Sequence, residues 1–426
     1  MIGDLLAFLD ASPTPYHAAA EAARRAAEAG SVAVGLTDDW SAPPPQGHVL
    51  ADGALIAWRL PAAGPPAPRL RLVGAHTDSP GLRIKPQPDT GAAGWRQVGV
   101  EVYGGALVNS WLDRDLGLAG RVAVTGEGGR GVETHLLRID RPLLRVPQLA
   151  IHLDRDVTAN GLKLDRQRHL TPVWDLGAPQ VDGFRDTVAT ELGVHPHAVR
   201  GWDVMVHDLV PPALVGARAS LVSSGRLDDL CCCWAGLRAL AATEVDSAEE
   251  PVGAVLALFD HEEVGSTSTR GAAGPLLADV LERLVTARGG TRDDLLRCLP
   301  RSALASADMA HATHPNYPER HEPGHWIAVD GGPVIKINAN QRYATEAATQ
   351  GAFEMACERA GVPVQHFVGH NEMPCGSTIG PISASGLGLP TVDVGVAQLA
   401  MHSARELCGA EDPVRMAAAL TEWFAS

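Results

Sequence analysis

The sequence predicts an α/β protein with a mixed, mostly parallel β-sheet flanked by helices and interrupted by a β-rich segment. Helical patterns alternate with strand-like runs near both ends of the chain, as they do around parallel sheets. Residues 252–259 (VGAVLALF) form a continuous apolar run, which is typical of a strand buried on both faces. Between residues 83 and 220, short β-like runs and Gly-rich turns replace the alternation of helices and strands.

Length and composition indicate a globular protein with more than one domain. The chain has 426 residues, of which 45% are hydrophobic and 20% charged. These values are ordinary for a globular protein and allow a large core. We expect one α/β domain formed by residues 1–82 and 221–426, and a β-rich domain inserted at residues 83–220.

Charge and cysteine usage exclude several classes of protein. The net charge of −15 disfavours a nucleic-acid partner, and the absence of a polybasic stretch disfavours an anionic membrane surface. Asp4 and Asp10 interrupt the first apolar run, so we expect no signal peptide, and no stretch reaches the roughly 20 apolar residues of a membrane span. The seven cysteines include consecutive Cys231–Cys233 and no CxxC pair, which indicates reduced thiols and a cytoplasmic location.

The elements follow from local patterns along the chain. Residues 3–30 predict two amphipathic helices broken near Pro13–Pro15. RLRLVGAHTD alternates polar and apolar residues as a strand does, and this strand stops at His76. The later predictions are helices at 229–243, 274–288, 345–360 and from near Pro413, and strands in SALASAD and PTVDVGV.

Polar residues follow the predicted strands, where sites form in open α/β sheets. In GAHTDSPG, His76 could bind a metal ion through one ring nitrogen while Asp78 orients the ring. A histidine and an aspartate at this spacing, taken alone, are more often a capped loop without a metal. This motif therefore predicts a metal site only in combination with the other motifs.

Two acidic motifs supply further donors. SSGRLDDL places Asp228 at the start of a helix, where it is either an N-cap or a carboxylate that bridges two metal ions. FDHEEVGS places Glu262 and Glu263 at a strand end, where two adjacent charges are costly unless a metal ion compensates them. One glutamate could be a ligand while the other takes a proton from water. The alternative is a solvated acidic turn.

Two more motifs complete the set. Asp308, in SADMAHATHPNY, fits a terminal carboxylate ligand, and His311 is a ligand, a substrate contact or a loop residue. His402, in AQLAMHSARE, follows another strand, with a loop histidine as the alternative. Together the motifs predict two ligand spheres that share a bridge, as in two-metal hydrolases. Imidazole and carboxylate without thiolate suit zinc, with manganese or cobalt as substitutes.

Through these motifs the sequence resembles the aspartyl aminopeptidases, a group of zinc metallopeptidases. The resemblance spans nearly the whole chain, and it runs in family order through GAHTDSPGLRIKP, QLAIHLDRD, SGRLDDL, DHEEVGS, SADMAHATHPNY, GPVIKINANQRYA, MPCGSTIGPI and AMHSARE. It implies a zinc-peptidase fold. It also implies an aminopeptidase that removes N-terminal residues, preferably Asp or Glu, from peptides.

The resemblance implies five ligands for two zinc ions per subunit. His76 and His402 would bind different ions, and Asp228 would bridge the two. Glu263 would complete one sphere and Asp308 the other.

Further roles are implied around these ligands. Glu262 would be the general base and Asp78 would orient His76. The family often has Asn after the bridging aspartate, so Asp229 is a departure that adds a second candidate carboxylate. His152, in QLAIHLDRD, would enter a neighbouring subunit's active site. The insertion would form homodimers, which assemble into a tetrahedral dodecamer.

The substrate preference rests on fewer residues. Lys336 and Tyr343 match family positions that contact the substrate's side-chain carboxylate, and His311 could assist. A surface lysine is the alternative, but VIKIN places Lys336 in an apolar, strand-like run, where burial would require a partner. Three other functions stay open on sequence alone: an aminopeptidase for neutral residues such as Leu, a related deacylase or carboxypeptidase, and an inactive scaffold.

Overall fold

A computed structural model describes residues 1–245 and 252–426, and it divides into two compact units. The first unit comprises Met1–Asp78, Pro212–Met401 and Glu406–Ser426, and the second comprises Ser79–Pro211 with His402–Arg405. The inserted unit thus begins at Ser79 and its main part ends at Pro211, whereas the sequence suggested residues 83 and 220. No local pattern indicated that the short segment His402–Arg405 belongs with the inserted unit.

The helices of the described residues alternate with strands along most of the chain. In chain order, the α-helices are Ile2–Ala11 (α1), Pro15–Glu28 (α2), Val157–Asn160 (α3), Gly183–Leu192 (α4), Leu227–Ala242 (α5), Leu276–Ala287 (α6), Arg292–Cys298 (α7), Ala347–Ala360 (α8), Ile379–Leu387 (α9) and Asp412–Phe424 (α10). Within the described part of the chain, no helix is both long and apolar enough to cross a membrane.

The strands form three sheets. In chain order, they are Val32–Ala33 (β1), Gln46–Ala51 (β2), Ala54–Arg59 (β3), Arg69–His76 (β4), Gly81–Ala92 (β5), Trp95–Tyr103 (β6), Leu116–Thr125 (β7), Val132–Leu144 (β8), Val173–Leu176 (β9), Val199–Asp208 (β10), Ala213–Val215 (β11), Leu221–Ser224 (β12), Val252–Phe259 (β13), Ala303–Ala307 (β14), Ala310–His311 (β15), Val334–Ile337 (β16), Gln365–Val368 (β17), Thr391–Gly395 (β18), Ala397–Leu399 (β19) and Glu406–Gly409 (β20).

The first unit is built on a nine-stranded sheet with the order β1-β2-β3-β13-β4-β14-β18-β16-β17. Its central strands β13, β4, β14 and β18 run parallel, while β3 and β16 pair antiparallel to their neighbours β13 and β18. This confirms the predicted mixed, mostly parallel sheet. A smaller five-stranded sheet, β11-β12-β20-β19-β15, belongs to the same unit.

Helices cover both faces of the large sheet because successive strand residues point to opposite sides. Leu55 and Ala57 of β3 belong to one buried cluster, together with Trp234 of α5 and Trp423 of α10. Ile56 and its neighbours on the other face pack in a second cluster with helix α6. The apolar run of β13 is buried along its full length, as expected for a strand with helices on both faces.

The second unit is built on an antiparallel sheet with the order β8-β7-β10-β5-β6-β9. Helix α4 packs on it through Phe184 and Val188, which share a buried cluster with Leu118 and Val204 of the sheet. The β-rich character predicted for this segment is confirmed. The sequence indicated it because alternating strands and Gly-rich turns are local patterns.

Candidate metal centre and substrate pocket

Three neighbouring parallel strands carry the predicted donors at one edge of the large sheet. His76 is the last residue of β4, Glu262 and Glu263 follow β13, and Asp308 follows β14. Strand β4 lies between β13 and β14, and all three run in the same direction. Their carboxyl ends therefore meet, and the polar side chains come together at the position where α/β sheets form sites.

His76 is fully buried among carboxylates. Its Nε2 lies 3.4 Å from Asp228 Oδ1 and 3.9 Å from Asp308 Oδ1. Its Nδ1 lies 3.0 Å from the backbone oxygen of Asp78 and 3.5 Å from the Oδ1 atom of Asp78. A proton on Nδ1 satisfies this carbonyl, which leaves Nε2 facing the other carboxylates as the ligand nitrogen.

Asp78 also holds the turn that carries both glutamates. Its Oδ1 accepts a hydrogen bond from the Glu262 amide at 3.0 Å, and its Oδ2 accepts one from the Glu263 amide at 3.2 Å. The side chain is completely buried. One aspartate thus contacts the predicted ligand His76 and fixes the backbone of the predicted base, a link that sequence spacing could not reveal.

The Asp228–Asp229 pair lies at the start of α5 but departs from helical geometry. Asp228 has φ −81° and ψ 105°, Asp229 has φ −120° and ψ 28°, and the peptide bond between them is cis. Arg226 occupies the assigned N-cap position, and its side chain makes no capping hydrogen bond. Asp228 lies two residues further on, where the backbone is not yet helical. The Asp228 amide donates to Glu406 Oε2 at 3.1 Å.

The side chains form two overlapping groups of potential metal ligands. His76, Asp228 and Glu263 make one group, and His76, Asp229 and Asp308 make the other. Within each group, one donor atom from each residue lies within 4.8 Å of the others. Oxygen and imidazole donors in this number suit zinc.

The electrostatics of the cluster favour a bound cation. Burial works against protonated His76, but hydrogen bonds to Asp228 and Asp78 outweigh it and raise the pKa of the imidazole. Burial raises the pKa of Asp308 to about 6 despite nearby Lys336. The Oδ1 atom of buried Asp229 accepts no hydrogen bond within the described residues. A metal ion would supply the positive charge that these groups lack, so the residues present fit zinc.

Glu262 stands beside these donors and belongs to neither group. Burial raises the pKa of its carboxyl to about 8, and the charges of Asp308 and Glu263 add to the effect against the opposing influence of His76. A carboxylate with raised basicity is suited to accept a proton near neutral pH. A metal ion nearby would draw this pKa down again.

Lys336 is buried in β16, directly opposite Asp393 of β18. Its ammonium group donates to the backbone oxygens of Asp308 at 2.9 Å and Met309 at 3.2 Å, and lies 3.7 Å from Asp308 Oδ2. Burial would lower the pKa of Lys336, but the charges of Asp308, Tyr343, Asp393 and Asp229 together outweigh it and raise the pKa, so the side chain is a cation. The surface-lysine alternative is wrong, because Lys336 is only 2% exposed.

The other two pocket residues both lie beside Phe367, and one of them also lies near this cation. Lys336 Nζ is 5.2 Å from the centroid of the Tyr343 ring. The Tyr343 and His311 rings each lie 6.3 Å from Phe367, measured between ring centroids. Tyr343 is buried whereas His311 is exposed. The three predicted pocket residues are thus grouped around one aromatic wall.

The remaining predicted site residues, His402 and His152, belong to the second unit. His402 has a left-handed backbone (φ 66°), and its Nδ1 lies 3.3 Å from the Gly105 carbonyl oxygen. His152 lies on an exposed turn before α3. The roles of both residues stay predictions.

Two buried carboxylates near the site residues were not predicted from the sequence. Glu406, which binds the Asp228 amide, ends the AMHSARE motif but received no role. Asp393 accepts hydrogen bonds from Ser306 Oγ at 2.7 Å, Thr378 Oγ1 at 2.5 Å and the Ala344 amide at 2.6 Å. The signal for Asp393 was a single charge within the apolar strand PTVDVGV, because a buried charge requires partners.

Comparison with known proteins agrees with this geometry. The family described as aminopeptidase I zinc metalloprotease (M18) matches residues 8–424. The probable M18 family aminopeptidase 2 of Streptomyces coelicolor is 54% identical over 424 residues, which cover 99% of this chain and 96% of that relative.

Solved structures of similar proteins extend the agreement to the fold. The structure of the Ape4 and Nbr1 complex matches with a TM-score of 0.95 and 35% identity, and covers 99% of this chain and 85% of that one. The S. cerevisiae mApe1 dodecamer matches with a TM-score of 0.86 and 26% identity, and covers 100% and 96%. The chain therefore belongs to the M18 family of aminopeptidase I zinc metalloproteases, which are hydrolases that act as aminopeptidases.

Proposed function

We propose that this aminopeptidase uses two zinc ions to remove N-terminal Asp or Glu from peptides. The observation that carries the proposal is the buried cluster of His76, Asp228, Glu263 and Asp308 with Glu262 beside it. These four residues would hold zinc together with His402, and Asp228 would bridge the ions. Manganese or cobalt could replace zinc, because the same donors accept them.

Bound zinc supplies a Lewis acid that polarises the scissile carbonyl and makes water acidic enough to lose a proton near neutral pH. Glu262 takes this proton and passes it to the leaving amine, as a general base and then a general acid. Asp78 holds Glu262 in place by accepting a hydrogen bond from the Glu262 amide, and its backbone oxygen orients His76. His152 stabilises the developing oxyanion, a role that rests on the family resemblance.

Three features support the proposed preference for acidic residues. Lys336 is a buried cation, and two of its three N–H donors bind backbone oxygens, so one remains for a substrate carboxylate. The carboxylate of Asp308, which would otherwise compete for Lys336, would be engaged by metal. Tyr343 offers a further hydrogen-bond donor beside Lys336, and both Tyr343 and His311 lie beside Phe367.

We also propose a homodimer formed through the inserted unit, with dimers assembling into a tetrahedral dodecamer. A similar protein, mApe1 of S. cerevisiae, is a dodecamer. The turn around His152 exposes three large apolar side chains, Leu149, Ile151 and Leu153, at 58%, 53% and 75%. Such surface is typical of an interface.

The seven cysteines are free thiols, which supports the cytoplasmic location.

A panel of chromogenic substrates with N-terminal Asp, Glu, Leu and Ala tests this function directly. We expect zinc-loaded protein to release Asp and Glu fastest, and a chelator to abolish all release. Dominant Leu release would contradict the acidic preference while leaving the metal chemistry intact. End-group analysis of a digested peptide checks that cleavage occurs at the N-terminus, and cleavage at an internal or C-terminal bond would contradict the aminopeptidase activity.

Replacing Lys336 with methionine tests the pocket itself. We expect the ratio of kcat/KM for Asp over Leu substrates to fall at least about 100-fold, since a buried charge pair is worth several kcal/mol. Tyr343→Phe is the milder companion variant, because it keeps the ring and removes only the hydroxyl. Thermal unfolding of both variants checks that the fold is kept. An unchanged ratio in a folded Lys336→Met protein would show that Lys336 does not recognise the substrate.

A further inference from the structure

The amide and the carbonyl of His76 are each bound by a side chain from the first turns of helix α5. Asp229 Oδ2 accepts a hydrogen bond from the His76 amide at 3.1 Å. The thiol of Cys233 donates to the His76 carbonyl oxygen at 3.0 Å. The carbonyl has no proton to give, so the sulfur must be the donor in this pair. Asp229 and Cys233 therefore bind the two hydrogen-bonding groups of a single residue.

The position of His76 in the sheet explains why it needs these partners. On one side, the Thr77 amide donates to the Phe259 oxygen of β13 at 2.8 Å, so the peptide groups of His76 point the other way. On that other side β14 pairs with β4 only as far as Gly74. The amide and carbonyl of His76 would be buried without partners there, and a buried backbone group without a hydrogen bond is costly.

All three residues are shielded from water, with Asp229 and Cys233 fully buried and His76 1% exposed. Water therefore cannot replace a lost hydrogen bond without opening the core. The direction of the His76 side chain follows from its backbone, because the peptide groups fix where Cβ points. A small rotation of this peptide would move Nε2 away from Asp228 and Asp308.

We propose that Asp229 and Cys233 are positioning residues that fix the His76 backbone and thereby aim its imidazole at the metal. The inference rests on the proposed assignment of His76 as a ligand. It assigns the Oδ2 atom of Asp229 to positioning, because this oxygen is committed to the His76 amide, whereas Asp229 as a residue also belongs to a group of potential metal ligands. It also gives one of the three consecutive cysteines a function.

The chain offers a matched control for the thiol. Cys298 is equally buried, and its thiol donates to the Pro68 carbonyl oxygen at 2.9 Å. Pro68 immediately precedes β4, at the end of the strand opposite to His76. Cys298→Ala therefore removes the same atom and the same type of hydrogen bond, far along the strand from His76. Cys233→Ser is the conservative variant, because a hydroxyl can still donate to the His76 carbonyl.

The first experiment compares Cys233→Ala, Cys233→Ser and Cys298→Ala with the unaltered protein. Zinc retained during dialysis against graded chelator is measured by elemental analysis, and the visible spectrum of the cobalt-loaded protein reports the ligand geometry. We expect Cys233→Ala to weaken metal binding about tenfold and to alter the cobalt spectrum. A tenfold loss is at the lower end of the range for mutating residues that support metal ligands. Cys233→Ser and Cys298→Ala should behave like the unaltered protein. Equal metal binding and spectra in Cys233→Ala and Cys298→Ala would overturn the role of the thiol.

The second experiment compares Asp229→Asn with Asp229→Ala. Asparagine keeps an oxygen that can accept from the His76 amide, so we expect metal binding within about threefold of the unaltered protein. Alanine removes this oxygen, and we expect at least about tenfold weaker binding. If asparagine weakens binding as much as alanine, Asp229 acts as a charged ligand and the positioning role is wrong. If the unaltered protein itself binds no zinc, the proposed metal site fails instead.

Discussion

Replacing Glu262 with glutamine lowers kcat by about 10²–10⁴-fold, the usual contribution of a general base, and leaves zinc binding unchanged. Glutamine has nearly the same shape but cannot take a proton from water. Glu262 belongs to neither group of potential metal ligands, so its charge is not needed to hold the metal. Steady-state kinetics on an N-terminal Asp substrate, with elemental analysis of the same sample, measures both quantities.

The matched control for this prediction is the neighbouring carboxylate. Glu263→Gln alters one of the proposed ligands, so we expect it to lower zinc content as well as kcat. The two variants thus separate proton transfer from metal binding within a single turn. If Glu262→Gln kept its turnover, another group would have to be the base. If it lost zinc, Glu262 would be a ligand, and the assignment of the two glutamates would be reversed.

Replacing Asp228 with alanine removes zinc from the protein. It lowers activity by more than about 100-fold, the upper loss typical of mutating a residue that only hydrogen-bonds to a metal ligand. As the proposed bridge, Asp228 would contribute to the binding of both ions, so its loss would weaken both ligand spheres together. Its carboxylate lies 3.4 Å from Nε2 of His76, the residue that the two groups of potential ligands share. Zinc content per subunit after gel filtration is the direct measurement.

Metal-free stability distinguishes a lost ligand from a damaged fold. Asp228 is one of several buried carboxylates in this cluster, and like charges that share a site repel one another. We therefore expect the metal-free Asp228→Ala protein to unfold at a temperature equal to or above that of the unaltered metal-free protein. Asp229→Asn, one residue away, is the control that should keep its zinc. Full zinc content in Asp228→Ala would contradict the bridging role.

Local patterns were sufficient to predict most of the elements. Two helices at the N-terminus, strand Arg69–His76 and strand Val252–Phe259 all have the structure that periodicity indicated. The positions of His76, Glu262 and Asp308 at strand ends were also predictable, because a strand end is a local feature. Their chemistry as metal donors follows from residue type alone.

The sequence could not show which strand ends are neighbours. Strands β13, β4 and β14 are adjacent in the sheet although they are separated by long stretches of chain. The same limit applies to the backbone of Asp228. Its irregular backbone is held by Glu406, 178 residues away, and sequence separation of that size carries no local signal.

Residue chemistry and short-range periodicity were enough to predict the donor types, the strand-end positions of most donors, the α/β class and the β-rich insertion. How the donors are held depends on contacts between distant parts of the chain. The bond from Cys233 to His76 spans 157 residues, Asp78 reaches the Glu262 amide across 184, and Lys336 finds its carbonyl partners across 28 and 27. The reason is physical: a buried polar group must find a partner in three dimensions, and chain order does not restrict which residue supplies it.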